Sequence, residues 1–188
     1  PQAHQWCLDN KLTMLSNSDV HNPINLDYQF HKGYHRPMTL VFAKDNSEES
    51  IKEALFDRRT VVYSRNMLVG EEKFLKPIFD NSITIDGNYI ELEGRKSKYL
   101  QISNTSEIDY KLELTNRNEK IYVPNYITLN SEKKVLFRVA AKSTNFVGTM
   151  DFNLPYYVTN LKVGPKKGLS ININLKVKFV PDQENKDK

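Results

Sequence analysis

The sequence is poor in cysteine, in glycine and in long apolar runs. Cys7 is the only cysteine among 188 residues, which excludes an intrachain disulfide and leaves the redox compartment open. The 7 glycines do not repeat in the spacing of a phosphate-binding loop. No apolar stretch reaches the roughly 18 residues that a membrane helix needs, so we expect no membrane span. These absences exclude a disulfide-stapled scaffold, a P-loop protein and a helical membrane protein.

Positive charge is in slight excess but is spread along the chain. The sequence holds 27 Lys and Arg residues against 23 Asp and Glu, which gives a net charge of +4. The densest basic clusters, Arg95–Lys98 and Lys166–Lys167, fall at predicted turns, where solvation explains them without a ligand. We therefore expect no nucleic-acid partner. The 39% hydrophobic content is enough for the packed core of one or two domains.

The first part of the chain, residues 1–81, combines helical periodicity with short apolar runs. The clearest helix is predicted over Asn46–Arg59, with Asn46 as its N-cap and Ile51 on its inward face. A second helix is predicted over Glu71–Phe79, where Pro77 distorts or ends it. This pattern predicts an α/β segment. Strands are predicted at Leu12–Leu15, Met38–Ala43 and Val61–Tyr63, a turn at Asn66–Gly70, and the end of a helix over Ala3–Lys11.

From Ser82 onward, alternation with a period of two replaces helical periodicity. The longest alternating run is Ile171–Phe179, in which every second residue is apolar. Turn signals separate about seven short strands, a spacing that is typical of an antiparallel sandwich. We therefore predict an Ig-like β-sandwich over residues 82–181, followed by a disordered charged tail at 182–188. The predicted fold class of the whole chain is α+β.

Asp19 and His21 stand two residues apart, shortly after the apolar run Leu12–Leu15. In an extended strand such residues project to the same side, so a carboxylate and an imidazole can reach one metal or two adjacent metals. The competing interpretation is that Asp-x-His occurs here by chance at a strand end. A catalytic centre needs at least three protein ligands, and His35 is a weaker third candidate.

Three stretches, Ser16–Pro23, His35–Leu40 and Glu49–Thr60, resemble the C-terminal end of PHP-type (polymerase and histidinol phosphatase) metal-dependent phosphoesterases. They are most similar to the phosphodiesterase-like branch of Bacteroidetes. The resemblance implies that Asp19 and His21 are the last ligand motif of a PHP-like α/β barrel. The family's earlier ligands, a His-x-His and further Glu and His residues, have no counterpart in this sequence. We therefore expect the C-terminal portion of a bacterial enzyme, with an accessory sandwich.

The resemblance implies a divalent metal centre, of Zn, Mn or Fe, that acts on a small phosphate ester. Arg36 and Lys32 are candidate contacts of the phosphate oxygens, although Arg36 could equally bond a backbone carbonyl or a carboxylate within the loop. The metal site is incomplete in this chain, so we expect its partner to be the missing N-terminal part of the same protein. The 188 residues alone should be inactive.

The alternative is a non-catalytic binding or interaction module, in which the sandwich binds a carbohydrate or a protein. Tyrosine side chains can form such a platform, since their rings are flat and carry a polar tip. Tyrosines in alternating strands more often pack the edge of a core or cover a sheet face. A third possibility is that the sandwich only stabilises the α/β part and has no site of its own. The candidate tyrosines are Tyr89, Tyr99, Tyr110, Tyr122, Tyr126, Tyr156 and Tyr157.

Overall fold

A computed structural model describes residues 2–29 and 35–181. The chain forms two compact units: the first comprises residues 1–79 and 159–169, and the second comprises residues 80–158 and 170–188. The phosphate-contact candidate Lys32 and the predicted tail 182–188 lie outside the described residues. The elements in chain order are α1 (Gln2–Asp9), α2 (Ile24–Asp27), β1 (Met38–Val41), α3 (Glu48–Phe56), β2 (Thr60–Ser64), β3 (Met67–Gly70), α4 (Glu72–Ser82), β4 (Ile83–Asp86), β5 (Tyr89–Glu93), β6 (Ser97–Asn104), β7 (Tyr110–Leu114), β8 (Ile121–Tyr122), β9 (Tyr126–Leu129), β10 (Lys134–Ala141), β11 (Gly148–Gly164) and β12 (Lys167–Val180).

The first unit is built on an antiparallel meander of β1, β2 and β3. The predicted turn at Asn66–Gly70 is wrong, because Met67–Gly70 is itself a strand. The chain reverses direction at Arg65 and Asn66 instead. Arg65 and Asn66 have φ of 50° and 59°, the positive values that a tight two-residue hairpin turn requires. Gly70 is needed where β3 meets β2, since a Cβ there would lie 2.8 Å from Val61 Cγ2. The last residues of β11 pair with β3 in parallel.

The two longer helices of this unit differ from their predicted limits. Helix α3 begins one residue later, with Ser47 instead of Asn46 as N-cap: the Ser47 hydroxyl accepts the backbone N–H of Ser50 at 3.2 Å. It ends at Phe56, before Arg58 takes a φ of 59°. Ile51 is exposed, and the buried side chains of α3 are Ser50 and Ala54.

Pro77 does not end helix α4, which continues to Ser82. A proline removes the hydrogen bond to the carbonyl four residues earlier, here that of Lys73. Lys73 and Pro77 are both exposed, so water can solvate that carbonyl. The buried face of α4 is formed by Leu75 and Phe79.

The predicted strand at Leu12–Leu15 is not formed, and Leu12 and Leu15 are exposed. Side-chain hydroxyls replace the backbone ladder that a strand would make. Thr13 Oγ1 donates to the carbonyl oxygen of Leu55 at 2.5 Å, and Thr60 Oγ1 donates to that of Met14 at 3.0 Å. The segment is therefore attached to the unit without being part of its sheet.

The second unit is a sandwich of two sheets. One sheet has the order β4–β6–β10–β8 and is antiparallel throughout. In the other, β12 lies between β5 and β11, while β7 lies between β11 and β9. The β5–β12 pair is parallel, which corrects the expectation of a purely antiparallel sandwich. Strands β11 and β12 are 17 and 14 residues long and are not the short strands expected.

The core of the sandwich follows the predicted alternation. The apolar residues of Ile171–Phe179 are all buried, as are Leu100, Ile102 and Phe137. Tyr110 and Tyr156 are also buried, which removes them from the candidate platform. Burial raises the pKa of Tyr156, so its hydroxyl stays protonated and donates to the carbonyl oxygen of Pro124 at 2.7 Å. In the part of the chain that the structure describes, no helix has the length and apolarity to cross a membrane.

Candidate metal centre

Asp19 and His21 are carried by a segment that hydroxyl groups hold in place. Thr39 Oγ1 accepts the backbone N–H of Ser16 at 2.9 Å and donates to the carbonyl oxygen of Ser16 at 3.1 Å. One side chain of β1 thereby satisfies both the backbone N–H and the backbone carbonyl of Ser16. The sequence did not single out Thr39 or Thr60, because a threonine in a strand carries no signal of what its hydroxyl will bond. These two residues fix the chain three to five positions ahead of the pair.

The carboxylate of Asp19 and the imidazole of His21 lie together, with Oδ1 and Nε2 3.6 Å apart. Asp19 has a φ of 54°, in the left-handed region that aspartate tolerates better than most residues. The backbone therefore turns at Asp19, and the two groups meet through this turn and not along an extended strand. Their side chains are 95% and 86% exposed. Nothing within the described residues covers them.

The pair fits the binding of one divalent cation. Bonds from zinc to carboxylate oxygen and imidazole nitrogen are about 2.0–2.2 Å, so two ligands of one tetrahedral ion lie about 3.4 Å apart. The distance of 3.6 Å between Asp19 Oδ1 and His21 Nε2 is close to this value. Left-handed non-glycine residues are also more frequent at functional sites. Two ligands are fewer than a catalytic metal requires.

The other candidate site residues are placed differently. His35 is half-buried, and its ring meets that of Tyr63 edge-on with centroids 6.1 Å apart. Arg36 is exposed. Across residues 2–29 and 35–181, no group of three or more His, Cys, Asp or Glu side chains is placed to hold a metal ion. The structure thus brings Asp19 and His21 together but does not add His35 to them.

The two-sheet sandwich and its sequence define the class of the second unit. Residues 83–174 match the family DUF5001, described as an Ig-like domain. This segment is therefore similar to the Ig-like domains of that family.

Over 93% of its length, the chain is similar to a two-domain protein from Bacteroides vulgatus ATCC 8482 that contains a predicted PHP-like metal-dependent phosphoesterase. The identity is 37% and the TM-score is 0.82. The resemblance to PHP-type phosphoesterases and the α+β fold class are thereby confirmed. The chain spans 49% of that relative's length.

Weaker similarities are found to fimbrial chaperones. A chaperone–tip adhesin complex of CFA/I fimbriae gives a TM-score of 0.42 at 9% identity, over 54% of this chain and 59% of that one. The E. coli chaperone DraB gives 0.38 at 14% identity, over 53% and 55%. These scores are too low to support an inference. No functionally curated protein matches the sequence significantly.

Proposed function

We propose that this chain is the C-terminal portion of a metal-dependent phosphoesterase, in which Asp19 and His21 supply the last ligands of a divalent metal centre. The observation that carries this proposal is the 3.6 Å approach of a carboxylate and an imidazole on the part of the chain that resembles such enzymes. The remaining ligands come from residues outside this sequence. The relative that shares 37% identity is about twice as long, which leaves room for them.

The exposed apolar surface of the first unit supports an incomplete α/β domain. Leu40 and Val41 are consecutive residues of β1, so they point to opposite faces of the strand, yet both are exposed. An antiparallel sheet such as β1–β2–β3 normally packs one face on a core, so one of these two side chains would be covered in a complete domain. Apolar surface of this kind marks an interface. The other exposed large apolar side chains of this unit are Trp6, Leu12, Leu15, Leu26, Ile51, Phe56 and Met67.

The chemistry of the complete site is hydrolysis of a small phosphate ester, with a phosphodiester as the proposed substrate. Bound divalent metal supplies Lewis-acid polarisation of the phosphate and a water of lowered pKa. Asp19 and His21 hold the metal through Oδ1 and Nε2. Arg36, exposed ahead of β1, is the proposed contact of the non-bridging oxygens, since its planar guanidinium suits phosphate. Zn, Mn and Fe are all compatible with one oxygen and one nitrogen ligand.

The test is metal content by elemental analysis of the natural-length protein after separate loading with Zn, Mn and Fe. We expect Asp19→Asn and His21→Ala each to lower the bound metal and to abolish hydrolysis of an activated phosphodiester. Asp27→Asn is the matched control, because it removes an exposed carboxylate from neighbouring α2. Unchanged metal stoichiometry in both site variants would exclude the proposal.

A second candidate function is supported by one face of the sandwich. Tyr157, Glu113 and Tyr126 are directly opposite one another across β11, β7 and β9. Neighbouring strands are about 4.8 Å apart, so the two tyrosines are separated by about 10 Å with a carboxylate between them. Tyr126 is 73% exposed and Tyr157 40%, and Tyr126 Oη donates to Glu113 Oε1 at 3.2 Å. Flat rings flanking an acceptor suit a neutral carbohydrate.

This candidate is tested by co-sedimentation with insoluble polysaccharides. Tyr126→Ala and Tyr157→Ala should each lower the bound fraction. Tyr99→Ala is the control, since the exposure of Tyr99 lies between those of Tyr126 and Tyr157 but Tyr99 belongs to the other sheet. An equal loss in all three variants would mean that exposed rings bind indiscriminately, and the face would have no specific function.

A further inference from the structure

We propose that the Ig-like domain carries a pocket for a small organic anion, which binds between Arg117 and Lys142. The pocket lies where β7 ends and β8 and β9 begin. Its volume is about 200 Å³. A water molecule occupies about 30 Å³ of the liquid, so this space would hold about six or seven waters. It is therefore suited to a molecule of the size of a small sugar acid or phosphate ester.

Apolar and aromatic side chains line part of the pocket. Leu114, Ile121 and Val123 line it, and Ile121 is buried in the core of the sandwich. Tyr122 also lines it and exposes its ring to solvent. Ligand pockets combine such apolar walls with a few polar groups that fix orientation. These side chains would contact the carbon skeleton of a ligand.

The charge of the pocket is positive and has no acidic counterpart. Arg117 and Lys142 line it, whereas none of its lining residues is Asp or Glu. Within the described residues, neither cation forms an ion pair; Lys142 Nζ lies 5.0 Å from the centroid of the Tyr122 ring. An arginine can bind a carboxylate or a phosphate through two parallel hydrogen bonds. Two cations beside apolar side chains favour an anionic ligand.

The loop that forms the pocket is held in place before any ligand binds. Asn118 Oδ1 accepts the backbone N–H groups of Lys120 at 2.9 Å and of Ile121 at 3.1 Å, which fixes the turn between Arg117 and β8. The buried hydroxyl of Tyr156 bonds the carbonyl oxygen of Pro124 at 2.7 Å. A pre-organised pocket loses less entropy when it binds than a mobile one. These bonds fix the backbone of the loop that carries Arg117 and of the segment before β9.

The proposed ligand carries a carboxylate or a phosphate group on a compact ring. The two anionic groups share the geometry that an arginine recognises, so the experiment must separate them. The probes are glucuronate, glucose 6-phosphate and, as the uncharged reference, glucose. Amide shifts in heteronuclear NMR spectra of the 188-residue chain report where each probe binds.

We expect at least one anion, and not glucose, to shift the amides of residues 114–125 and of Lys142. The identity of the stronger probe assigns the ligand as a carboxylate or a phosphate ester. Arg117→Gln and Lys142→Gln should each weaken the binding by about tenfold or more. Arg95→Gln is the matched control: Arg95 is exposed in the turn between β5 and β6 of the same unit, and its change should leave the affinity unaltered.

Three results would overturn the proposal. The first is that neither anion causes shifts at about 10 mM, a concentration at which even a millimolar dissociation constant gives nearly full occupancy. The second is an equal loss of affinity in Arg117→Gln and Arg95→Gln, which would mean general attraction to a basic protein. The third is equal binding of glucose. Spectra of Arg117→Gln that match the parent outside the pocket exclude misfolding as the cause of lost binding.

Discussion

The side-chain amide of Asn160 donates a 2.8 Å hydrogen bond to the carbonyl oxygen of Asn66, 94 residues away in the sequence. Asn66 is the second residue of the β2–β3 turn, and Asn160 is a buried polar residue on β11. Next to it, Leu161 pairs with Leu68 of β3. Residues 159–169, where β11 ends and β12 begins, are therefore an integral part of the first unit.

Asn160→Ala should destabilise the first unit by about 1–3 kcal/mol, because a part-buried carbonyl loses this donor. Hydrogen exchange of the β2 and β3 amides is the measurement, and it should accelerate. Asn153→Ala is the control, since Asn153 is exposed on the same strand and its change should cost less than about 0.5 kcal/mol. Similar effects of the two variants would mean that the bond to Asn66 has no stabilising role.

Thr39→Val should release the segment that carries Asp19 and His21. Valine keeps the shape of threonine but cannot replace its bonds to the N–H and carbonyl groups of Ser16. A loss of about 1.4 kcal/mol in local stability corresponds to tenfold faster exchange of the Ser16 amide. Thr84→Val, on the exposed face of β4, should not change that rate. An unaltered rate in Thr39→Val would show that other contacts hold the segment.

Local pattern was sufficient to predict most of the sandwich. The alternation over Ile171–Phe179 arises because one face of β12 is buried along its whole length. Each pair of neighbouring residues therefore has one apolar and one polar member. The same signal is present in β11, where Phe152, Leu154, Tyr156 and Val158 are buried, although that strand was not predicted. The parallel pairing of β5 with β12 could not be predicted, since it depends on contacts between distant residues.

The candidate site was predicted for a reason that the structure corrects. The spacing of Asp19 and His21 was interpreted as that of an extended strand, but the two groups meet because Asp19 has a left-handed backbone. The strand expected before them is absent, because Thr13 and Thr60 hold that segment through their hydroxyls. Spacing and the family resemblance together singled out the pair. They contained no information on the tertiary bonds that position it.

Glu91 on β5 should titrate below its ordinary value of 4.5. The Tyr89 hydroxyl donates to its carboxylate at 2.7 Å and Lys178 at 2.9 Å, and these bonds lower the pKa of Glu91. Because the folded pKa is the lower one, the carboxylate stabilises the fold above pH 4.5, and this stabilisation is lost as the pH falls through the folded pKa. Glu91→Gln should therefore weaken the pH dependence of unfolding below neutrality.

Carbon-detected NMR titration checks the Glu91 prediction directly. Tyr89→Phe removes the larger of the two hydrogen-bond contributions, so the midpoint of Glu91 should move back toward 4.5. The change in stability is expected to be small, because the whole cluster is exposed to solvent. A Glu91 midpoint that is the same in Tyr89→Phe as in the parent would exclude the hydroxyl as the cause.

Tyr156→Phe should lower the free energy of unfolding by about 1–2 kcal/mol. The ring is 1% exposed and phenylalanine fills the same space, so the loss measures the hydrogen bond to the carbonyl oxygen of Pro124. Tyr157→Phe is the control, because the next residue of β11 faces solvent and its change should cost less than about 0.5 kcal/mol. Urea unfolding at constant m-value is the measurement. Pro124 lies in the loop that lines the anion pocket, so Tyr156→Phe should also weaken anion binding although it removes no charge. Unaltered affinity together with the full stability loss would show that this bond supports the sandwich but not the pocket.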